Sequence, residues 1–292
     1  MTEFIDAVVQ YGFMRNALTA GLLAAVACGV VGSFVVARRV SYVAGGIAHS
    51  VLGGMGAAGY LAAVHGWDGI TPLHGAIVAA LLSALVIGWV TLRARQREDT
   101  IIGAVWAIGM AVGILFISRT PGYNRELMSY LFGNILMVTD TDLVVLLVLD
   151  LLIVGLALLF YNRFLAVCFD AEFARVRGVR VETTYLLLLS LTALTVVVLV
   201  TIVGVVLVIA LLTLPAAVAG CFSRTFRQMM LGAVFCCALF SVSGLAVSYQ
   251  TNFPAGATIV LLAGACYVVV MAGKWLIRGK RNSVARRTSP TS

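Results

Sequence analysis

Hydrophobic residues make up 62% of this 292-residue chain and charged residues only 11%, with a mean hydropathy of +1.06. That balance excludes a soluble globular fold and points to an all-α, polytopic transmembrane bundle. The net charge of +8 comes with no aromatic-rich basic surface, so it reflects topology and anionic lipid rather than a nucleic-acid partner.

Nine apolar segments, each close to the roughly 17 to 25 residues that cross a bilayer, are predicted at 16–36, 43–64, 72–92, 100–118, 143–161, 183–203, 205–222, 229–248 and 254–273. Gly204 alone punctuates the sixth and seventh, so eight or ten crossings also fit. An apolar patch at 127–138 is too short to span and is expected to lie in the interface or re-enter the protein. Glu3 and Asp6 stand where a cleavable signal peptide has basic residues, so the first span is expected to be retained.

Chemistry first enters in the second segment, GGIAHSVLGGMGAAG, where His49 lies about six residues, or roughly 9 Å, inside one end. Gly45, Gly46, Gly53, Gly56 and Gly59 around it give a small-residue surface for close helix packing or a water-lined path. Imidazole is the commonest protein ligand for zinc and suits other late transition metals; the alternative is a hydrogen-bonded structural histidine. The next loop, HGWDGITPLH, gathers His65, Asp68 and His74, which serve either as solvated loop residues or as a transient rim for a cation. In the fifth segment Asp150 is the one charged residue inside any span, set among leucine and valine. It reads either as a coupling or substrate carboxylate facing the bundle interior or as a protonated residue hydrogen-bonded to a neighbouring helix or at the dimer interface.

Between the fifth and sixth segments, at 162–182, the run FDAEFARVRGV (169–179) reads as a short amphipathic helix facing water. Asp170 suits its N-cap, Phe173 and Val176 share one face, and Gly178 suits the left-handed residue that ends it. The run fits either a docking knob for a soluble motor or an ordinary connecting loop. Of the 20 Lys and Arg residues, 17 fall in alternate loops on the knob's side, which the positive-inside rule makes cytoplasmic, with the N-terminus outside and the C-terminus inside. The first 279 residues therefore read as one permease-like domain, and 280–292 as a basic, disordered tail loosely bound to headgroups. Of the six cysteines, Cys28, Cys221, Cys236, Cys237 and Cys266 lie in or at the ends of spans and Cys168 on the inner side. No disulfide and no thiolate metal site is expected.

Five motifs follow one another in a known order: GSFVVARRVSYVAGGIAHSVLGG (32–54), DTIIG (99–103), SYLFGN (129–134), VGVVLVIALLTLPAAVA (203–219) and FPAG (253–256). Together they resemble the permease subunits of bacterial zinc and manganese ABC importers, the ZnuB/MntB family, over nearly the whole chain. The resemblance implies that Asp170, Glu172, Phe173, Ala174 and Gly178 form the coupling segment that meets the ATPase. It also implies a homodimer, two ATPase subunits carrying ATP, an extracytoplasmic metal-binding protein, and Zn2+ or Mn2+ as cargo with no permanent cofactor. Family members commonly carry an Asp four residues before the histidine matching His49; here Gly45 stands there. AVWAIGM (104–110) replaces a segment that holds a histidine in zinc-type members, and the frequent FGD becomes Phe132, Gly133, Asn134. No G-x-x-x-x-G-K-[ST] run is present, so ATP hydrolysis is expected on another chain. Two other classes remain: an ion-coupled secondary transporter using Asp150, and an intramembrane metalloenzyme, the latter disfavoured by the absence of HExxH.

Overall fold

A computed structural model describes residues 2–67, 69–93, 98–120, 133 and 135–288. Among them every regular element is helical, and nine helical stretches are long and apolar enough to cross a membrane. The elements are α1 (Thr2–Gln10), α2 (Gly12–Arg38), α3 (Ser41–His65), α4 (Pro72–Arg93), α5 (Glu98–Arg119), a 3₁₀ turn at Ile135–Met137, α6 (Asp140–Leu159), α7 (Tyr161–Phe169), α8 (Ala171–Val176), α9 (Val181–Phe222), α10 (Phe226–Thr251) and α11 (Ala255–Thr288). Arg95 and Arg97, Arg125, and all of 127–138 except 133 and 135–138 lie outside the described residues.

Helix α9 accounts for two crossings. Gly204, at φ 77° and ψ 164°, breaks it, in a backbone region that costs glycine little and any L side chain more. The ends show that the chain reverses there. Tyr185 lies under Arg38, while Phe226, just past the far end of α9, meets Phe34 and Phe169 at that same Arg-rich end. Val203 instead lines a pocket with Gly133, Asn252 and Phe253 at the opposite end.

Lipid gives helices no hydrophobic reason to associate, so contact depends on how closely backbones can approach. Here α2 and α3 are the inner helices. On α2, Gly29 sits on the Val234 backbone of α10, and Gly32 on the Leu212 carbonyl of α9. On α3, Gly53 and Gly56 face Gly109 and Gly113 of α5, Gly46 faces Ile102, and Gly54 meets Gly75 of α4. A Cβ at any of these would overlap its neighbour. The expected small-residue surface is thus used for packing on two sides of α3. Leu82, Leu115, Leu147, Leu151, Leu159 and Leu261 are exposed on outer helices, as a hydrocarbon surround allows.

Three elements depart from the sequence reading. Helix α1 is bound to the bundle, with Phe4 buried edge-on against Tyr249. Helix α7 was unforeseen; it buries Phe164 and Val167 on one face. Helix α11 continues through the tail to Thr288, where disorder was expected: lysine and arginine are good helix formers, and extending an existing helix needs no new nucleus.

The glycine contacts generate a stability test. Gly54→Ala, which would drive a methyl into the Gly75 carbonyl, should destabilise the detergent-solubilised protein by about 1–3 kcal/mol, as overpacking typically does. Gly155→Ala, with open space around it, should be neutral or stabilising in the same thermal unfolding assay.

Candidate functional site

At the Arg-rich end the chain builds a projecting knob on a rigid seat. Asp170 caps α8 by accepting a hydrogen bond from the Phe173 N–H at 2.9 Å. The helix closes where the Gly178 N–H donates to the Arg175 carbonyl and the Val179 N–H to the Ala174 carbonyl, both at 3.0 Å. Gly178 takes φ 79°, as a left-handed terminator should. Ala174 is buried beneath, whereas Phe173 is 58% and Val176 85% exposed. Phe169, one residue before the cap, is also exposed. Glu172 is exposed in the first turn, where its charge complements the helix dipole.

The seat is aromatic. Phe34, fully buried on α2, packs against Phe164 at 5.6 Å, Phe226 at 4.8 Å and Tyr161 at 6.1 Å between ring centroids. Helices α2, α7 and α10 therefore meet under the knob. Beside it a cavity of ≈ 670 Å³ is lined by Arg163, Arg177, Gly178, Arg180 and Thr183, with no carboxylate among its walls. Glu182 is drawn instead to Arg175 at 3.8 Å, an exposed pair of small value.

Deeper in the bundle, His49 stacks on Trp106 of α5 with centroids 4.1 Å apart and planes 11° from parallel. The Trp106 indole N–H donates to the Met110 sulfur at 3.1 Å, and Tyr42 tilts against the same indole at 6.2 Å. The Nδ1 of His49 is buried without a hydrogen-bond partner, so a structural hydrogen bond does not account for that nitrogen. One turn earlier, Gly45 is buried, and a Cβ there would stand 3.3 Å from Ile209 of α9 and 3.6 Å from the Trp106 ring. On another flank of α3 a cavity of ≈ 680 Å³ runs between α4 and α5, apolar except for Ser50, Ser83 and His74. The Ser83 hydroxyl donates to that of Ser50 at 2.7 Å.

Asp150 is buried at 4% exposure with both carboxylate oxygens unpartnered, so the expected bond to a neighbouring helix is absent among the described residues. It lies on α6, which packs on α2 and α9 rather than on α3; the fold does not bring it to His49. At the far end His74 is taken up locally, its Nδ1 2.7 Å from the Thr71 hydroxyl, and His65 leans on Tyr60. Asp68 lies outside the described residues, as do Phe132 and Asn134. Among the described residues no three His, Cys, Asp or Glu side chains group as a metal site. The residues missed from sequence are Trp106, Met110 and Phe34; only the departure at 104–110 hinted at the first two.

Comparison with known proteins agrees with this architecture. A model of the ABC 3 transport family matches residues 10–274. An uncharacterized membrane protein of Synechocystis sp. is 44% identical over 277 residues, covering 93% of this chain and 94% of its own length. The manganese transport system membrane protein MntC of Halalkalibacterium halodurans is 32% identical over 100% of this chain and 99% of its own. Among solved structures, PsaBC from Streptococcus pneumoniae in complex with Fab aligns with a TM-score of 0.82 at 31% identity, covering 92% of this chain and 94% of that one.

Cys168 reports on how tightly the seat is closed. Burial pushes its thiol up to about 11, with Arg38 opposing, so the thiolate is scarce at neutral pH and grows only as pH approaches that value. With the other cysteines replaced, its maleimide labelling should be slow at pH 7 and climb about tenfold per pH unit through pH 10, because the thiolate is the nucleophile. A rate that levels off near pH 9 would mean an open seat.

Proposed function

The chain belongs to the ABC 3 transport family, and on that premise we propose that it is the permease subunit of an ATP-driven importer of a divalent transition-metal ion across the bacterial cytoplasmic membrane. Zinc is the favoured cargo and manganese the next. The observation that carries the reading is an apolar knob standing free at the Arg-rich end of a chain whose family match covers residues 10–274. Exposed Phe169, Phe173 and Val176 have a use there as an anchor for a soluble partner. The manganese-transport description of the Halalkalibacterium relative supports a transition-metal cargo.

The working assembly is two copies of this chain, a cytoplasmic ATPase dimer that binds ATP, and an extracytoplasmic metal-binding protein. Closure of the ATPases pushes on the segment from Asp170 to Gly178, with Glu172, Phe173 and Ala174 at its centre. Movement passes through the Phe34 seat into α2 and along α9, rocks the two copies about their shared axis, and opens a path past His49. Affinity resides in the binding protein, since a permease site that held the ion tightly would trap it. In this reading His65, Asp68 and His74 form a transient outer rim that the ion meets on entry.

Coupling is tested first by assembly. Gly178→Pro removes the φ 79° terminator and its N–H, and Glu172→Ala removes the knob's acidic group; both should weaken ATPase association at least about tenfold, a hot-spot-sized loss of roughly 1.4 kcal/mol or more, while the protein stays inserted. Normal co-purification of both variants would overturn the coupling role.

Transport is tested by uptake of radiolabelled zinc and manganese into vesicles holding this chain with its ATPase and binding protein. ATP-dependent uptake that fails in His49→Ala is the expected result. Uptake indifferent to ATP yet abolished in Asp150→Asn would replace the reading with an ion-coupled transporter.

A further inference from the structure

The stacked pair at the α3–α5 contact has chemistry that a mere packing role leaves unexplained. An indole lies flat on the imidazole of His49 at 4.1 Å, and its own N–H is tied to the sulfur of Met110. The ring plane of His49 is thereby fixed while its Nδ1 remains buried and unpartnered. Its surroundings are neutral: one turn earlier Gly45 has no side chain and faces the aliphatic Ile209, and no carboxylate lies within ion-pair distance of His49 among the described residues. Asp150 sits on α6, whose main packing partners are α2 and α9.

A ring nitrogen that accepts a cation draws electron density from the imidazole, and an electron-poor ring stacks more strongly on the electron-rich face of an indole. The Met110 thioether accepts the indole N–H and so orients the indole. Hard cations such as Mn2+ favour carboxylate, carbonyl and water oxygens, whereas imidazole suits the softer late transition metals. We propose that Trp106 is a positioning and specificity-determining residue that, by stacking on His49 against the Met110 thioether, makes this neutral point of the path favour zinc-like cations over manganese. The proposal rests on the metal-importer reading above and names which cargo that reading selects.

The test compares zinc and manganese uptake by the full transporter in vesicles, with each variant normalised to inserted protein. Trp106→Phe keeps an aromatic face and should retain the wild-type zinc-to-manganese ratio within about twofold, while Trp106→Leu keeps apolar bulk without the face and should lower that ratio about tenfold, the scale of one lost aromatic pair. Gly45→Asp adds a carboxylate one turn from His49 with only ordinary to tight contacts to Ile209 and Trp106; it should also shift the ratio toward manganese, and it serves if the leucine variant fails to insert. An unchanged ratio in Trp106→Leu or in Gly45→Asp, or equal loss of both metals in the phenylalanine and leucine variants, overturns the proposal. Absence of ATP-dependent uptake of either metal by the wild type would instead overturn the importer reading.

Discussion

Helix α3 can sit where it does only because its contacts lack side chains. In water, apolar faces are driven together; in lipid the surroundings are as apolar as leucine, and helices associate through the closeness of their backbones. Gly53 and Gly56 bring α3 against α5, and Gly54 brings it against α4. With two flanks fixed by near backbone contact, the remaining face of α3 has little freedom. His49 then has to point at what α5 supplies, which is Trp106, with Ile209 of α9 against Gly45 one turn away. The chemistry of the site is thus a consequence of glycine placement several residues away.

The same logic joins the knob to the His49 stack. Helix α9 starts at Val181, a few residues after the knob, reverses at Gly204, and returns to place Ile209 against Gly45. A displacement of α8 has a second route through Phe34, whose ring touches α7 and α10 while its helix packs on α9 through Gly32. Packed interiors transmit strain because they cannot absorb it in voids. The knob therefore needs no long lever: the helix that begins beside it passes, at Ile209, against Gly45, one turn from His49.

How much of this was legible in the sequence follows from the range of each interaction. The nine spans and the break at Gly204 came from local composition, and the Asp170 cap and Gly178 terminator from the chemistry of single residues at helix ends. Helix α7 was hidden because the apolar run after Asn162 and Arg163 is too short to stand out, and only burial of Phe164 against Phe34 of α2 marks it. The stack of Trp106 on His49 joins residues on different helices, and no spacing rule reports such a contact. Asp150 is the reverse case: its isolation was visible among leucines, but that its neighbours would be α2 and α9 rather than α3 was decided by packing.

A transport path gains from ligands that hold weakly. A three-residue site would lower the energy of a bound cation and raise the barrier to its release, and among the described residues no such group is built. Interactions of the kind present here, one imidazole with an aromatic face behind it, are worth on the order of 1 kcal/mol each. That suffices to discriminate between cations that must pass anyway, but not to retain them. In the proposed path selectivity is relocated as well: where charge would trap the ion, preference would come from the softness and orientation of neutral groups, and the Met110-tethered indole fixes an orientation beside His49.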